Sequence, residues 1–295
     1  MPRLIDPGSG SPISLAEAVE LLDSTAIDAR DEDGLASLGP VLARLGRNRD
    51  FLAEQAVAVL KARGQGIGSA LYGAQVMLLK PPGGRYVLRA NFWPAAGDPA
   101  FAASGPAAFF YGMPHDHNFP FLTCGYWGPG YWSDYYEYDA AALAGYPGEP
   151  AGLRFVGRAR LEPGQLMLYR ARRDVHAQLP PDAFSVSINI LASDPAQPWR
   201  DQYRLDIAGN RIAAGLTTTP SEVLVALAVH LDSRGVTLAE QLARDHPSPR
   251  LRMTAVTALA GARPEMGEAV LTRAAGDPHP QVAEQARARL AALAR

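Results

Sequence analysis

Three of the six histidines of this 295-residue chain stand where they could share a metal ion. His115 and His117 bracket Asp116 in Pro114-His115-Asp116-His117, and His176 follows in Asp174-Val175-His176-Ala177. On an extended strand, residues two apart project to one face, so the two imidazoles would point together while Asp116 points away. Such a pair chelates one divalent ion once a third ligand arrives from elsewhere in the chain. Pro114 favours extended backbone at itself and at the residue before it. The same pair would equally serve as ordinary core or loop histidines, and the sequence around them has to separate the two readings.

The surroundings are strand-like. Arg85-Tyr86-Val87-Leu88-Arg89-Ala90-Asn91-Phe92-Trp93 alternates, with Arg89 and Asn91 on a face that meets either water or a polar cavity. A preceding strand is expected over 70–79, with a turn at Pro81-Pro82-Gly83-Gly84. After the histidine pair comes an aromatic run, Tyr126, Trp127, Tyr131, Trp132, Tyr135, Tyr136 and Tyr138, punctuated by Gly125, Gly128 and Gly130. Its rings would wall a pocket on one face and pack across strands on the other. Strands are expected again at 153–161, 165–172 and 174–177. In 184–191, Val186, Ile188 and Ile190 oppose Ser185, Ser187 and Asn189. A final hairpin turning at Gly209-Asn210 would close an antiparallel barrel or sandwich.

Helices flank these strands. Ser14-Leu15-Ala16-Glu17 has capping-box spacing, and further helical patterns cover 33–46 and 49–63. From about Thr217 the chain is helical again. Pro249 falls onto Pro280 at a period of about 31, with Ala-rich helix after each. His246 and His279 adjoin prolines at the turns of this repeat, and His230 sits in an apolar helix, so all three are read as structural.

A formal net charge of −2 gives no reason to expect nucleic acid or an anionic membrane. The single cysteine, Cys124, excludes an internal disulfide. MPRLIDPGSGSP has no apolar signal core, and no run approaches the roughly 20 apolar residues of a membrane span, so a cytoplasmic location is expected.

Taken together, the HxH pair, the Pro-Gly turn, the later histidine and the alternating small-polar strand resemble the cupin superfamily. Its first motif carries a glutamate separated from HxH by three or four residues, where this chain has Phe121 or Leu122; Gly128 falls at the motif's last glycine. The second motif is matched at Gly164 and His176 with one extra residue, and without its internal Pro and Gly. Without the glutamate, three histidines remain, the ligand set of the cysteine dioxygenase (thiol dioxygenase) family. That family also places a carboxylate-binding arginine about 26 residues before the first metal histidine, where Arg89 stands here. Its late Ser-x-His-x-Tyr strand corresponds to Ser187-Ile188-Asn189-Ile190-Leu191, so serine is kept, histidine has become asparagine and tyrosine has become leucine. The cysteine that cross-links to that tyrosine in some members has no partner, and Cys124 reads as an ordinary buried thiol. The helical C-terminus resembles a HEAT repeat in Asp277-Pro278-His279-Pro280-Gln281-Val282.

These observations define the expectations. The fold class is α+β: residues 1–68 form N-terminal helices packing on the barrel, 69–214 a cupin β-barrel or sandwich, and 215–295 a small HEAT-like helical domain. The resemblance implies Fe(II) held by His115, His117 and His176, with Arg89, Ser187 and Asn189 serving catalysis. It implies O2 and a small thiol, amino-acid-like or peptide-borne substrate as partners, and the HEAT-like segment implies a protein partner. Two alternatives stay open. One is a non-catalytic metal-binding scaffold or sensor. The other is a 2-oxoglutarate-dependent hydroxylase, which needs a carboxylate ligand; Asp116 has the wrong strand parity, leaving Glu137 as the candidate.

Overall fold

The computed structural model describes residues 1–28, 30–64, 73–80 and 83–294. The expected strand start at 70–72 and turn residues 81 and 82 lie outside these. In chain order the elements begin with β1 (Arg3–Ile5), α1 (Leu15–Ser24), α2 (Glu32–Ala36), α3 (Gly39–Arg47) and α4 (Phe51–Gly64). There follow β2 (Val76–Leu78), β3 (Tyr86–Trp93), α5 (Pro99–Ser104), β4 (Phe121–Trp127), β5 (Tyr131–Glu137), β6 (Arg154–Leu161), β7 (Leu166–Tyr169), β8 (Asp174–Gln178) and β9 (Ser185–Ala192). A hairpin, β10 (Tyr203–Asp206) and β11 (Arg211–Gly215), precedes α6 (Pro220–Leu231), α7 (Ser233–Asp245), α8 (Pro249–Ala262), α9 (Pro264–Ala274) and α10 (Pro280–Leu293).

The chain forms two compact units, 1–138 with 153–197, and 139–152 with 198–295. In the first, one sheet has the order β1-β7-β4-β9-β3-β2 and a second has β6-β5-β8, all pairs antiparallel. Alternation sorts the larger sheet into two faces. Leu88, Ala90, Leu122, Cys124, Leu166, Leu168, Ile188 and Ile190 pack against Leu22, Leu35, Leu42 and Leu45 of the N-terminal helices. Trp93, Phe121, Met167, Tyr169 and Leu191 point the other way and pack on Tyr131, Tyr135 and Leu161 of the smaller sheet. The result is the α+β, antiparallel double-sheet arrangement expected from the sequence, with helices before and after it.

Local signals fare unevenly. Ser14 and Glu17 do form a reciprocal capping box. The helix expected over 33–46 is broken after Ala36, because Pro40 lacks an N–H and is tolerated only in a new first turn, that of α3. The hairpin β10–β11 does not close the barrel. It forms a two-stranded sheet within the second unit, where the segment 148–151 lies along β11 through Gly148 N–H to Ile212 O (2.8 Å), Ile212 N–H to Glu149 O (2.9 Å) and Ala151 N–H to Asn210 O (2.9 Å).

In the helical part, the 31-residue period is structural. Pro249 and Pro280 each open a helix, capped by Ser248 and His279 respectively, and α8 packs against α7, α9 and α10. Arg252 spans one interval of the repeat with a bidentate ion pair to Asp277 (2.9 Å on both oxygens), both side chains being largely buried. Among the described residues no helix is long and apolar enough to cross a membrane.

Ile188 is fully buried on β9, between the two strands it joins. Truncation to alanine removes three buried carbons from a core that cannot fully collapse, so Ile188→Ala should lower the unfolding free energy by about 2–5 kcal/mol, measured by urea denaturation at unchanged slope.

Candidate metal centre

The two sheets meet at the histidines. The sequence placed His115 and His117 on a strand; the structure places them just ahead of β4, in extended chain held by a single bridge. Pro114 and Pro120 carry no N–H, so this stretch cannot donate a continuous ladder. What it does make is exact in register: His115 N–H to His176 O (3.1 Å) and His176 N–H to His115 O (3.0 Å), with Arg172 N–H to His117 O (2.7 Å) beyond. Residues directly opposed on paired chains carry their side chains to the same side. The bridge therefore brings His176 beside His115, and parity brings His117 alongside.

The three rings converge. His117 Nε2 lies 3.1 Å from His176 Nε2, which lies 3.2 Å from His115 Nε2. One ligand nitrogen from each of the three can be chosen so that all lie within 4.8 Å of one another. His115 and His176 are buried and His117 is partly exposed. Desolvation holds all three pKa values below 6.5, and in His117 and His176 well below, with the neighbouring imidazoles adding to the effect. They are neutral bases at physiological pH. His115 Nδ1 lies 2.8 Å from Met113 O; a carbonyl can only accept, so Nδ1 carries the proton and Nε2 keeps its lone pair. Three neutral nitrogens facing one another at this spacing cannot all satisfy one another by hydrogen bonds. One cation with metal–nitrogen bonds of about 2.1 Å does satisfy them. The donor set fits a divalent metal.

Aromatic packing fixes the rings. Phe121 meets His117 edge-on (centroids 4.9 Å apart), stacks on Tyr169 (4.4 Å), and Tyr169 in turn meets His176 edge-on (4.8 Å). Leu122 faces the opposite core. Phe121 is thus the residue that stands toward the site where the cupin motif has its glutamate, and it packs on a ligand ring instead of ligating.

The remaining candidates are placed as follows. Arg89 pairs in register with Asn189 across β3 and β9, on the face turned toward the second sheet, and its charge contributes to lowering the His117 pKa. Asn189 donates to Asn91 Oδ1 (3.1 Å), and Ser187 Oγ accepts from Trp93 Nε1 (3.0 Å). Trp93 stacks on Tyr131 at 4.0 Å. The Arg89/Asn91 face therefore lines the interior between the sheets and not the outside. Neither carboxylate considered as a ligand belongs to the metal-capable group. Asp116 is fully buried and accepts from Tyr138 OH (2.6 Å). Glu137 is paired with the N-terminal ammonium (2.8 Å), Arg170 (2.9 Å) and Arg154 (2.9 Å), and the ammonium and Arg170 hold its pKa down to about 2. Cys124 is fully buried among the helices and sheet, where desolvation raises its pKa to about 12, as expected of an inert thiol.

Three residues were given no part in the site by the sequence reading. Tyr169 and Phe121 become site residues only through strand pairing. Gln178, by contrast, shares a strand face with His176 two residues away, and its amide nitrogen lies 3.0 Å from His176 Nδ1. That parity was visible in the sequence.

No family model matches the chain, and no curated protein does. Among solved structures it is similar to hydroquinone 1,2-dioxygenase PnpCD in complex with Cd2+ and 4-hydroxybenzonitrile (12% identity, 42% of this chain and 68% of that one, TM-score 0.27). It is also similar to the DMSP lyase DddQ from Ruegeria pomeroyi DSS-3 (16%, 65% and 79%, 0.24) and to a Pseudomonas putida prolyl-4-hydroxylase (14%, 63% and 98%, 0.21). At TM-scores below 0.3, none of these likenesses bears on the reaction, which is read below from the chain's own residues.

The neutral histidines have a measurable consequence. Unfolded, each titrates near 6.5; folded, His117 and His176 take up a proton only well below that. The unfolded state therefore binds more protons below 6.5, and the apoprotein loses stability as pH falls. Between about pH 7.5 and about pH 5.5 the melting temperature of metal-free protein should drop, and His176→Asn should flatten the dependence, read by thermal denaturation in a chelating buffer.

Proposed function

We propose that the protein is a non-haem Fe(II)-dependent dioxygenase in which His115, His117 and His176 hold the metal. The observation that carries this reading is the convergence of three neutral imidazole nitrogens with no carboxylate in the group. Imidazole suits Fe(II), and a three-nitrogen set leaves coordination positions for a substrate and O2, whose activation the bound iron would supply. The substrate is a small thiol, an amino-acid-like molecule or its peptide-borne equivalent.

Each residue's part follows from its chemistry. Arg89, half-buried and inward-facing, binds an anionic group of the substrate through its fixed fork of N–H donors, more strongly for being partly desolvated. Asn189 and Asn91 hold one another across β9 and β3, the latter carrying Arg89, and Ser187 fixes the indole of Trp93, so these groups set the shape of the interior. Phe121, Tyr169, Tyr131 and Trp93 exclude water and leave the anionic end of the substrate to Arg89. We read α6–α10 as HEAT-like pairs that engage a protein or peptide. The exposed Val223, Leu224, Leu227 and Leu231 along α6 support that reading. A cytoplasmic setting fits the lone buried thiol.

The test is metal content of anaerobically purified protein beside His176→Ala, followed by O2 uptake with small thiols and amino acids. Near-stoichiometric iron in the wild type, lost in the variant, with thiol-driven uptake supports the reading. A tight, redox-silent zinc would overturn it in favour of a scaffold, and uptake that depends on 2-oxoglutarate would overturn it in favour of a hydroxylase. Within the dioxygenase reading, Arg89→Ala should raise KM for an anionic substrate about 10- to 100-fold, the scale of one lost charge-assisted pair, while metal content stays unchanged.

A further inference from the structure

The chain passes through three residues of positive φ just before the histidine pair: Gly105 (73°), Phe110 (58°) and Gly112 (67°). Glycine suits two of them, having no Cβ to clash. Phe110 closes the short 3₁₀ turn Pro106–Phe109 in the left-handed region, where glycine is the usual residue and a bulky side chain is disfavoured. Its neighbours hold it there. Phe109 and Tyr111 are buried on either side, and Gln75 Nε2 donates to Phe109 O (3.1 Å). Tyr111 OH donates to Pro94 O (2.9 Å), and Gly112 N–H donates to Gln178 O (2.9 Å). The phenyl of Phe110 is left 49% exposed. Its ring meets that of His115 at a centroid distance of 6.2 Å and a tilt of 43°, a loose contact that leaves much of the phenyl in water. A single exposed phenylalanine is ordinary. One held in disfavoured backbone by buried neighbours, beside a histidine of the metal-capable group, is a reason to look for a role. From His115 the ring contacts continue to His117 (4.9 Å) and on to Phe119 (5.1 Å), itself only partly buried. Phenyl groups therefore border the histidine pair at both ends.

We propose that Phe110 is a specificity-determining residue: the substrate carries an apolar group that packs on the exposed phenyl while its reacting end sits at the imidazoles. Covering the ring removes from water the apolar area that the free protein exposes, and an aromatic partner adds a stacked or edge-on contact. A ring whose backbone is already pinned on both sides loses little freedom when it is covered. The substrate class narrows accordingly. With an anionic group on Arg89, the ligand is a carboxylate with an apolar arm, free or as the hydrophobic residue of a peptide; a compact polar molecule would leave Phe110 uncovered. This inference rests on the reading of the three histidines as the reacting centre, but the contact with Phe110 can be measured without metal.

The experiment titrates full-length protein, metal-free and zinc-loaded, with propionate and with 3-phenylpropionate, and reads affinity by calorimetry. The two acids share a carboxylate and differ by one phenyl group. Wild type should bind 3-phenylpropionate about 3- to 10-fold more tightly than propionate, the scale of one aromatic contact. F110A should abolish that preference and leave propionate unchanged, whereas F110L, which keeps an apolar side chain, should retain part of it. Equal wild-type affinity for the two acids, no detectable binding of either, or a preference that F110A leaves intact overturns the proposal. So does an F110A that weakens both acids alike, the mark of a merely structural phenyl. Should F110A fail to fold, the wild-type preference and F110G, which suits the left-handed backbone, decide it. A Phe110-dependent preference in a protein that takes up no metal supports the contact and overturns the three-histidine reading alone. Iron uptake with thiol-driven O2 consumption, at KM values that F110A leaves unchanged for apolar and polar thiols alike, overturns the contact alone.

Discussion

The architecture of the site depends on one short piece of backbone pairing. His115 and His176 exchange both of their main-chain hydrogen bonds, and that exchange is what sets two imidazoles from distant parts of the chain side by side. The segment bearing His115 and His117 has prolines at 114 and 120 and so cannot be held by a full ladder. The bridge, and the Arg172 bond to His117 O beyond it, carry the alignment instead. Lose the register by one residue and the histidines face opposite sides.

That register is protected by the larger sheet's division of labour. One face is aliphatic, packed on the N-terminal helices, and includes Ile188, Ile190, Leu122 and Cys124. The other is aromatic and polar, with Trp93, Phe121, Tyr169, Asn91, Ser187 and Asn189. A slip of β9 or β4 would push Asn189 or Thr123 into the aliphatic core, where an unsatisfied polar group is costly. The helices that look purely structural in the sequence thus help to keep the site in register.

The departures from the cupin pattern share a physical sense. Where the motif has a ligating glutamate, Phe121 packs edge-on to His117 and face-on to Tyr169, so rigidity replaces a charged ligand. The result is an all-neutral donor set, and the carboxylates nearest in sequence are occupied elsewhere: Asp116 by Tyr138, Glu137 by an ion-pair cluster at the chain's start. A dication held by such a set would keep its full charge, and the positive charge of Arg89 stands on the inward face of β3.

The residue types and their parity determined a good deal. HxH spacing, the later His176, the alternation of 184–191 and the period carrying Pro249 onto Pro280 were each legible, because helix and strand periods are local properties of the backbone. So was the burial of Cys124. Other features were not local. Whether the Arg89/Asn91 face met water or a cavity depended on a second sheet lying over it. Whether Phe121 or Leu122 faced the histidines depended on which side of β4 the helices covered. The break at Pro40 was visible as a proline and missed as a boundary. The hairpin at Gly209-Asn210 was found, but its partner, 148–151, lies some sixty residues earlier and left no mark on the hairpin's own sequence. Sequence determined the elements and their faces through periodicity; tertiary structure alone decided which faces meet, because that choice is made by the burial of surfaces contributed by distant segments.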